Sequence, residues 1–350
     1  MPYLRNAWYV AAWGSEIALD KPFARTLLDV PMVLFRDSGG RPHALRDRCP
    51  HRFAPLSMGR ITDGAVECGY HGLRFDGAGH CVFNPQGDGK IPNGAKVASW
   101  PLVERHAAIW IWMGDPERAD PDLIPDFYCL DPDQWAIGTG HIEVAGPYDL
   151  ETDNIMDLSH IEFMHPLFSS DAVRRGQTEC TQDGRTVWSK RVMNDDANAP
   201  DFVCQAFDLP PGSVIDRFLE VRWDAPATML LLAGGGPPGC AREDARISPS
   251  AHIFTPETET RTHYFFATAF PRALGPIAEE LAQSLREELK GPFELEDKPM
   301  IEAVARNMHD EDFWSLRPVL LPGDAAAVRA RRILDQMIRH EQAEPVTKAL

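Results

Sequence analysis

Cys49-Pro50-His51 and, after sixteen intervening residues, Cys68-Gly69-Tyr70-His71 decide how this chain is read. Each short loop carries one thiol and one imidazole. Two thiolates can hold one iron of a [2Fe–2S] cluster while two imidazoles hold the other, an exchange of ligands that raises the cluster's reduction potential. A zinc site with two Cys and two His ligands is the alternative, but such a site usually pairs its cysteines in one knuckle and its histidines in another. Here each knuckle is mixed. Gly69 and Gly72 let the backbone turn tightly around the sulfurs, and Pro50 stiffens the first loop.

Outward from these loops, the first 115 residues read as short β-like runs, Ala24 to Leu28, Met32 to Phe35 and Ile109 to Met113, broken by Gly- and Pro-rich turns. A small all-β domain follows, placed at 1–120. The stretch Asp115 to Pro132, punctuated by Asp115-Pro116, Asp120-Pro121, Ile124-Pro125 and Asp131-Pro132, reads as the linker. Beyond it, at 121–350, strands are expected at Arg185 to Val192, Phe218 to Trp223, Thr228 to Leu232, Ala251 to Phe254 and Thr262 to Phe270, the last two joined through Thr255 to Thr260. Helices are expected at about 149–165, 276–289, 293–309 and 324–343, the last capped by Asp324. The fold class is therefore α+β, an antiparallel sheet with helices on one face following an all-β domain.

Composition removes several classes of function. The 350 residues carry a formal charge of −17, which disfavours nucleic acid or an anionic membrane as partner. No apolar run approaches the ~18 residues of a membrane span, and the N-terminus lacks a signal-peptide pattern. Seven scattered cysteines fit a reducing cytoplasm. There is no G-x-S-x-G, P-loop or dinucleotide fingerprint.

The larger domain holds a second constellation. Asp153-Asn154-Ile155-Met156-Asp157-Leu158-Ser159-His160-Ile161-Glu162-Phe163-Met164-His165 places two imidazoles and several carboxylates within about a dozen residues. Two neutral imidazoles and one carboxylate form the facial triad of non-haem Fe(II), which leaves positions open for O2. On a regular helix His160 and His165 diverge by roughly 140°. The helix is therefore expected to end, or to widen into a π turn, between them. For the carboxylate, Phe293, Met300, Ile301, Val304 and Met308 fall within roughly 60° of Asp297 on a helix of period 3.6, whereas Glu296 and Glu302 point away. A carboxylate within an apolar stripe needs a partner, either a metal or a salt bridge. Glu294 is the second choice of ligand.

The two loops, with His51-Arg52-Phe53-Ala54-Pro55-Leu56 and Tyr70-His71-Gly72-Leu73, resemble the Rieske domain of ring-hydroxylating and demethylating oxygenases. The second constellation, with Arg5-Asn6-Ala7-Trp8-Tyr9-Val10, Trp110-Ile111-Trp112-Met113-Gly114-Asp115-Pro116, Thr255-Pro256-Glu257-Thr258-Glu259 and Glu296-Asp297-Lys298, is similar to the oxygenase component of the vanillate O-demethylase family. That likeness spans nearly the whole chain. It implies a helix-grip (START-like) second domain, a Rieske [2Fe–2S] cluster on Cys49, His51, Cys68 and His71, and a mononuclear Fe(II) on His160, His165 and Asp297. It further implies a ring-shaped homotrimer in which Asp157 hydrogen-bonds His160 and reaches His71 of the next subunit, with Asn154 lining the iron site.

The implied activity is a cytoplasmic monooxygenase that takes electrons from NAD(P)H only through a separate reductase, a flavin and ferredoxin-type donor. It would oxidise an aromatic acid, O-demethylating a vanillate-like methoxybenzoate to the phenol plus formaldehyde. Hydroxylation of an aryl methyl group or ring, and N-demethylation, use the same metals. His252, Leu231 and Phe266 are candidates for the substrate pocket, with a satisfied core histidine as the competing role for His252. Arg46, Arg48, Arg52, Arg60 and Arg74 form a candidate basic patch for the electron donor. A Rieske ferredoxin would leave His160 and His165 without a purpose, and a helix-grip lipid carrier would leave the cluster loops without one.

Overall fold

The computed structural model describes residues 3–166, 168–309 and 311–344, so the expected domain limits at 1 and 350 lie outside them. Two compact units result. One comprises Pro2–Ile124 with Thr255–Glu259 and the C-terminal stretch from Glu341; the other comprises Pro125–Phe254 and Thr260–His340.

The first unit is all β. Its strands are β1 (Trp8–Trp13), β2 (Phe23–Leu27), β3 (Val30–Arg36), β4 (Pro42–Arg46), β5 (Arg60–Thr62), β6 (Ala65–Glu67), β7 (Arg74–Phe75), β8 (Cys81–Phe83), β9 (Ser99–Trp100), β10 (Leu102–Arg105) and β11 (Ala108–Trp112). They form sheets ordered β1-β11-β10, β2-β3-β4-β9 and β5-β6-β7-β8. The β5-β6-β7-β8 sheet frames the cysteine loops, one entering β5 and the other connecting β6 to β7. Val33, Phe35, Leu45, Leu56, Val66 and Phe75 are fully buried and pack with Cys49 and Cys68 in one cluster. The sulfurs are thus rooted in the core. Thr255 belongs to this unit, donating from Oγ1 to the Val10 carbonyl at 2.8 Å.

The second unit is built on a seven-stranded antiparallel sheet. Its strands are β12 (Trp135–Val144), β13 (Gln177–Asp183), β14 (Thr186–Asp196), β15 (Ile215–Asp224), β16 (Thr228–Gly236), β17 (Arg246–Thr258) and β18 (Arg261–Pro271), in the order β12-β18-β17-β16-β15-β14-β13. β17 runs to Thr258, so its connection to β18 is shorter than the six residues expected. β12 and β13 do not announce themselves in the sequence, and each for a physical reason. β13 is a polar, mostly exposed edge. β12 carries Gly138 and Gly140, which read as breakers, yet a Cβ on Gly138 would lie 2.3 Å from the Ala282 carbonyl oxygen and one on Gly140 2.2 Å from the Phe266 ring. Close packing, rather than a turn, requires these glycines.

Among the described residues, seven α-helices complete the unit: α1 (Tyr148–Met156), α2 (Ile161–Met164), α3 (Asp171–Arg175), α4 (Asp201–Ala206), α5 (Ile277–Gly291), α6 (Lys298–Met308) and α7 (Ala325–Ala343). The helix expected over 149–165 is two helices. α1 stops at Met156, the chain breaks at Asp157–His160, and α2 is a single turn that ends at Met164, so a helix end does fall between His160 and His165 as expected. The π widening lies elsewhere, at Pro292–Asp297, joining α5 to α6. Asp324 immediately precedes α7 and ends a 3₁₀ turn, its carboxylate accepting from Leu321 N at 2.6 Å. Among the described residues no helix is long and apolar enough to cross a membrane.

A buried ion cluster ties α7 to α1. The Arg331 guanidinium donates from Nε to both Asp153 carboxylate oxygens at 2.8 Å and also bonds Asp149, while lying 4.3 Å from the Phe313 ring centre. Burial opposes its charge, but Asp149 and Asp153 prevail and hold it above the ordinary guanidinium value. Removing the arginine strands one buried and one part-buried carboxylate. Arg331→Met is therefore expected to destabilise the protein by about 3–5 kcal/mol, measured by urea unfolding; a change within experimental error would show that the cluster does not fix α1.

Candidate metal centres

The cluster loops hold their backbones by local hydrogen bonds. Cys49 N donates to the Ala54 carbonyl at 2.9 Å and Phe53 N to the Cys49 carbonyl at 2.9 Å; in the second loop Cys68 N donates to Leu73 at 2.8 Å and Gly72 N to Cys68 at 3.0 Å. Gly72 adopts φ +76°, and Phe53 adopts φ +61°, a conformation a bulky side chain avoids unless its surroundings enforce it. Both cysteines are buried, whereas His51 is exposed and His71 half-buried, with ring centres 4.4 Å apart. Burial pushes the Cys49 thiol up to about 11, adjacent Cys68 adds to this, and the amides of His51 and Arg52 aimed at the sulfur oppose it. Desolvation, with His51 and Arg52 nearby, holds His71 below the ordinary imidazole value. Paired thiols inward and paired imidazoles outward are the donor set of a Rieske cluster.

The basic patch is smaller than the sequence count. Arg74 donates to Glu67 at 2.7 Å and pairs with Asp63 at 2.8 Å, and Arg60 also bonds Glu67. Arg46, Arg48 and Arg52 remain exposed.

In the second unit, His160, His165 and Asp297 offer one ligand atom each within 4.8 Å of one another. His160 precedes α2 and His165 follows it, so neither is confined to helical spacing. His160 donates from Nδ1 to the Asp157 carbonyl, and His165 from Nδ1 to Glu296 Oε2 at 2.6 Å. With both Nδ1 protons engaged, each ring in its neutral form presents its lone pair at Nε2. These nitrogens lie 3.8 Å and 3.4 Å from Asp297 Oδ1. Asn154 Nδ2 donates to that same oxygen at 3.1 Å. Burial lowers His160 against the pull of Asp297; at His165 burial is outweighed by Asp297 and Glu296, and the imidazole is raised. Two neutral nitrogens and one carboxylate suit a divalent iron.

Four placements differ from expectation. The Asp157 carboxylate does not hold His160. It accepts from Ser159 N at 2.9 Å and Ser159 Oγ at 2.7 Å, closing the turn that ends α1, and the backbone carbonyl takes the imidazole. Glu296 faces the site rather than pointing away, because the widened turn at Pro292–Asp297 changes the angular spacing of its last residues. Among Met300, Ile301 and Val304 only Ile301 is buried; the others line a groove of about 310 Å³ with Asn154, Asp157 and His160. Glu294 is partly exposed and pairs with Lys290 at 3.8 Å.

His252 is buried with both ring nitrogens bonded, to Ser250 Oγ at 2.9 Å and the Tyr264 hydroxyl at 2.7 Å. The Phe293 ring seals it, 5.5 Å from His252 and 5.2 Å from Phe266. Leu231 is part-exposed on the same sheet face. A further residue escaped sequence reasoning. Glu151, one turn before Asn154, is buried with Oε1 unpartnered, and burial together with Asp297 and Glu302 pushes it up to about 8.

Residues 7–101 match the Rieske [2Fe-2S] domain, and 144–340 match the vanillate O-demethylase oxygenase C-terminal domain. The chain is 40% identical to the dicamba O-demethylase oxygenase component of Stenotrophomonas maltophilia, over 98% of this chain and 100% of that protein. It is 38% identical to the chloroacetanilide N-alkylformylase oxygenase component of Rhizorhabdus wittichii, over 97% of each. The crystal structure of dicamba monooxygenase bound to 3,6-dichlorosalicylic acid superposes with TM-score 0.91 at 37% identity, covering 98% of this chain and 100% of that one. With two cluster loops and a two-imidazole, one-carboxylate site on these matching domains, the chain belongs to the Rieske non-haem iron oxygenases, in the family of the vanillate O-demethylase oxygenase component.

Proposed function

We propose that this chain is the terminal oxygenase that O-demethylates a methoxy-substituted aromatic acid, releasing the phenol and formaldehyde. The convergence of two free Nε2 atoms on Asp297 carries the reading. When bound, the cluster supplies electrons and the iron activates O2, so that the methyl C–H is oxidised and the resulting hemiacetal collapses. N-dealkylation needs the same parts, and the chloroacetanilide relative makes it the second reading.

The chain's residues divide the task. His160 and His165 present unprotonated Nε2 atoms because Asp157 and Glu296 keep the protons on Nδ1. Asn154 orients Asp297. Phe293, Tyr264 and Phe266 form an aromatic wall that excludes water from the sheet side of the site. Cys49 and Cys68 hold the buried side of the cluster, and His51 and His71 the side nearer solvent.

Reducing equivalents come from a separate reductase, as the oxygenase-component names of the relatives support. We place its docking at the exposed Arg46, Arg48 and Arg52, so that Arg46→Glu with Arg48→Glu slows reductase-driven turnover in a salt-sensitive way. We also propose a homotrimer in the cytoplasm. Exposed Phe53 and Tyr70 in the first unit, and Met300, Val319 and Leu320 in the second, are apolar surfaces that a neighbouring subunit would cover.

With reductase, NADH and O2, turnover of vanillate and related methoxybenzoates is expected to release formaldehyde in step with phenol. No formaldehyde from any of them would sink the O-demethylation reading. Glu296→Gln, which weakens the hold on the His165 tautomer, is expected to lower Fe(II) affinity by about 10–100-fold and to leave the reduced cluster's spectrum unchanged. Wild-type iron retention would remove Glu296 from the site.

A further inference from the structure

The single turn α2 has a candidate iron ligand at each end, His160 before it and His165 after it, yet none of its own residues is fully buried. One helical turn has no stability of its own, so its place in the fold must come from anchors on either side. The Asp157 turn is the first anchor. The second follows His165. Phe168 N donates to the His165 carbonyl at 2.9 Å, closing a tight turn, and the Phe168 ring stands edge-on to the imidazole with ring centres 6.3 Å apart.

That turn ends on a buried charge. Arg217, on β15, donates from Nη2 to the Phe168 carbonyl at 3.2 Å and to Ser170 Oγ at 3.1 Å. The same nitrogen meets Asp196 Oδ2, on β14, at 2.7 Å, and Ser170 Oγ donates to that carboxylate oxygen at 2.9 Å while accepting from Val173 N at the start of α3. Arg217 is 8% exposed and Asp196 1%. As a stabilising pair this is a poor one: burial outweighs Asp196 and holds Arg217 below the ordinary guanidinium value, the reverse of Arg331. Buried pairs can often be exchanged for uncharged side chains without loss of stability. What this pair adds is a fixed position for the segment that leaves His165.

We propose that Arg217, aimed by Asp196, is a positioning residue for the iron ligand His165: it pins the Phe168 carbonyl, and through the His165–Phe168 turn it holds the imidazole in place alongside the Glu296 bond at Nδ1. Neither Arg217 nor Asp196 touches metal or substrate. The assignment rests on the iron-centre reading above and extends its support to the strands β14 and β15.

Ferrous titration of protein depleted of its mononuclear iron tests this, read together with the electron paramagnetic resonance of the nitric oxide adduct, the urea midpoint, and amide hydrogen exchange at α2 and Phe168 in the iron-depleted form. Arg217→Met alone strands the Asp196 charge and can unfold the protein, so the deciding variant is Arg217→Met with Asp196→Asn, which removes both charges together. It is expected to keep the urea midpoint and the reduced cluster's spectrum of the unmodified protein, to lose about 10-fold in Fe(II) affinity, the low end for residues that orient a metal ligand from outside, to broaden the nitrosyl signal, and to speed exchange at α2 and Phe168. Unchanged iron affinity and nitrosyl signal would overturn the proposal. So would a loss of iron that comes with a lowered urea midpoint and an altered cluster spectrum, which would make the pair a general support of the fold. If the unmodified protein takes up no ferrous ion beyond its cluster, the iron-centre reading itself fails; normal uptake beside an unaffected double variant faults Arg217 alone.

Discussion

Two imidazole protons govern this molecule. His160 gives its Nδ1 proton to a backbone carbonyl and His165 gives its own to a carboxylate, and because a neutral ring has one proton, both Nε2 atoms are left as lone pairs beside Asp297. Every irregularity nearby serves this arrangement. The stop at Asp157 frees the carbonyl that His160 needs, the single turn of α2 sets the two rings on one side, and the widened turn at Pro292–Asp297 brings two consecutive carboxylates to the same imidazole. Unpaired, Asp297 would be a buried charge of high cost; Asn154 and two imidazoles surround it, and a cation held there would satisfy it.

The supports are built from charge as much as from apolar packing. Arg331 reaches from α7 to Asp149 and Asp153 on α1, which places Asn154 opposite Asp297 from a residue nearly two hundred positions away in sequence. The sheet supplies the opposite wall, where Phe293 closes over His252, Tyr264 and Phe266. The cluster loops follow a different rule: sulfurs in the core, imidazoles toward solvent, so that the buried half is insulated and the outer half is accessible for electron exchange.

Much of this was legible in the residues. The mixed Cys and His loops and the pair His160 and His165 are chemical patterns that need no geometry to notice, and Asp297 stood out as a carboxylate among apolar neighbours. What stayed hidden depended on departures from ideal helices. A period of 3.6 turned Glu296 away from the site because the π turn was not visible, and it made Met300 and Val304 core residues when they line a groove. The side chain of Asp157 drew attention where its carbonyl does the bonding, since backbone groups leave no mark in sequence. Gly138 and Gly140 disguised β12, because close approach of a helix and of an aromatic ring cannot be told from a turn without the fold.

Metal analysis joined to electron paramagnetic resonance of the dithionite-reduced protein bears most directly on the central claim. The account predicts a Rieske-type signal, acid-labile sulfide matching a [2Fe–2S] cluster, and iron in excess of that cluster that is lost on His160→Ala while the signal persists. Zinc in place of iron, or a cluster signal that disappears together with His160, would contradict it.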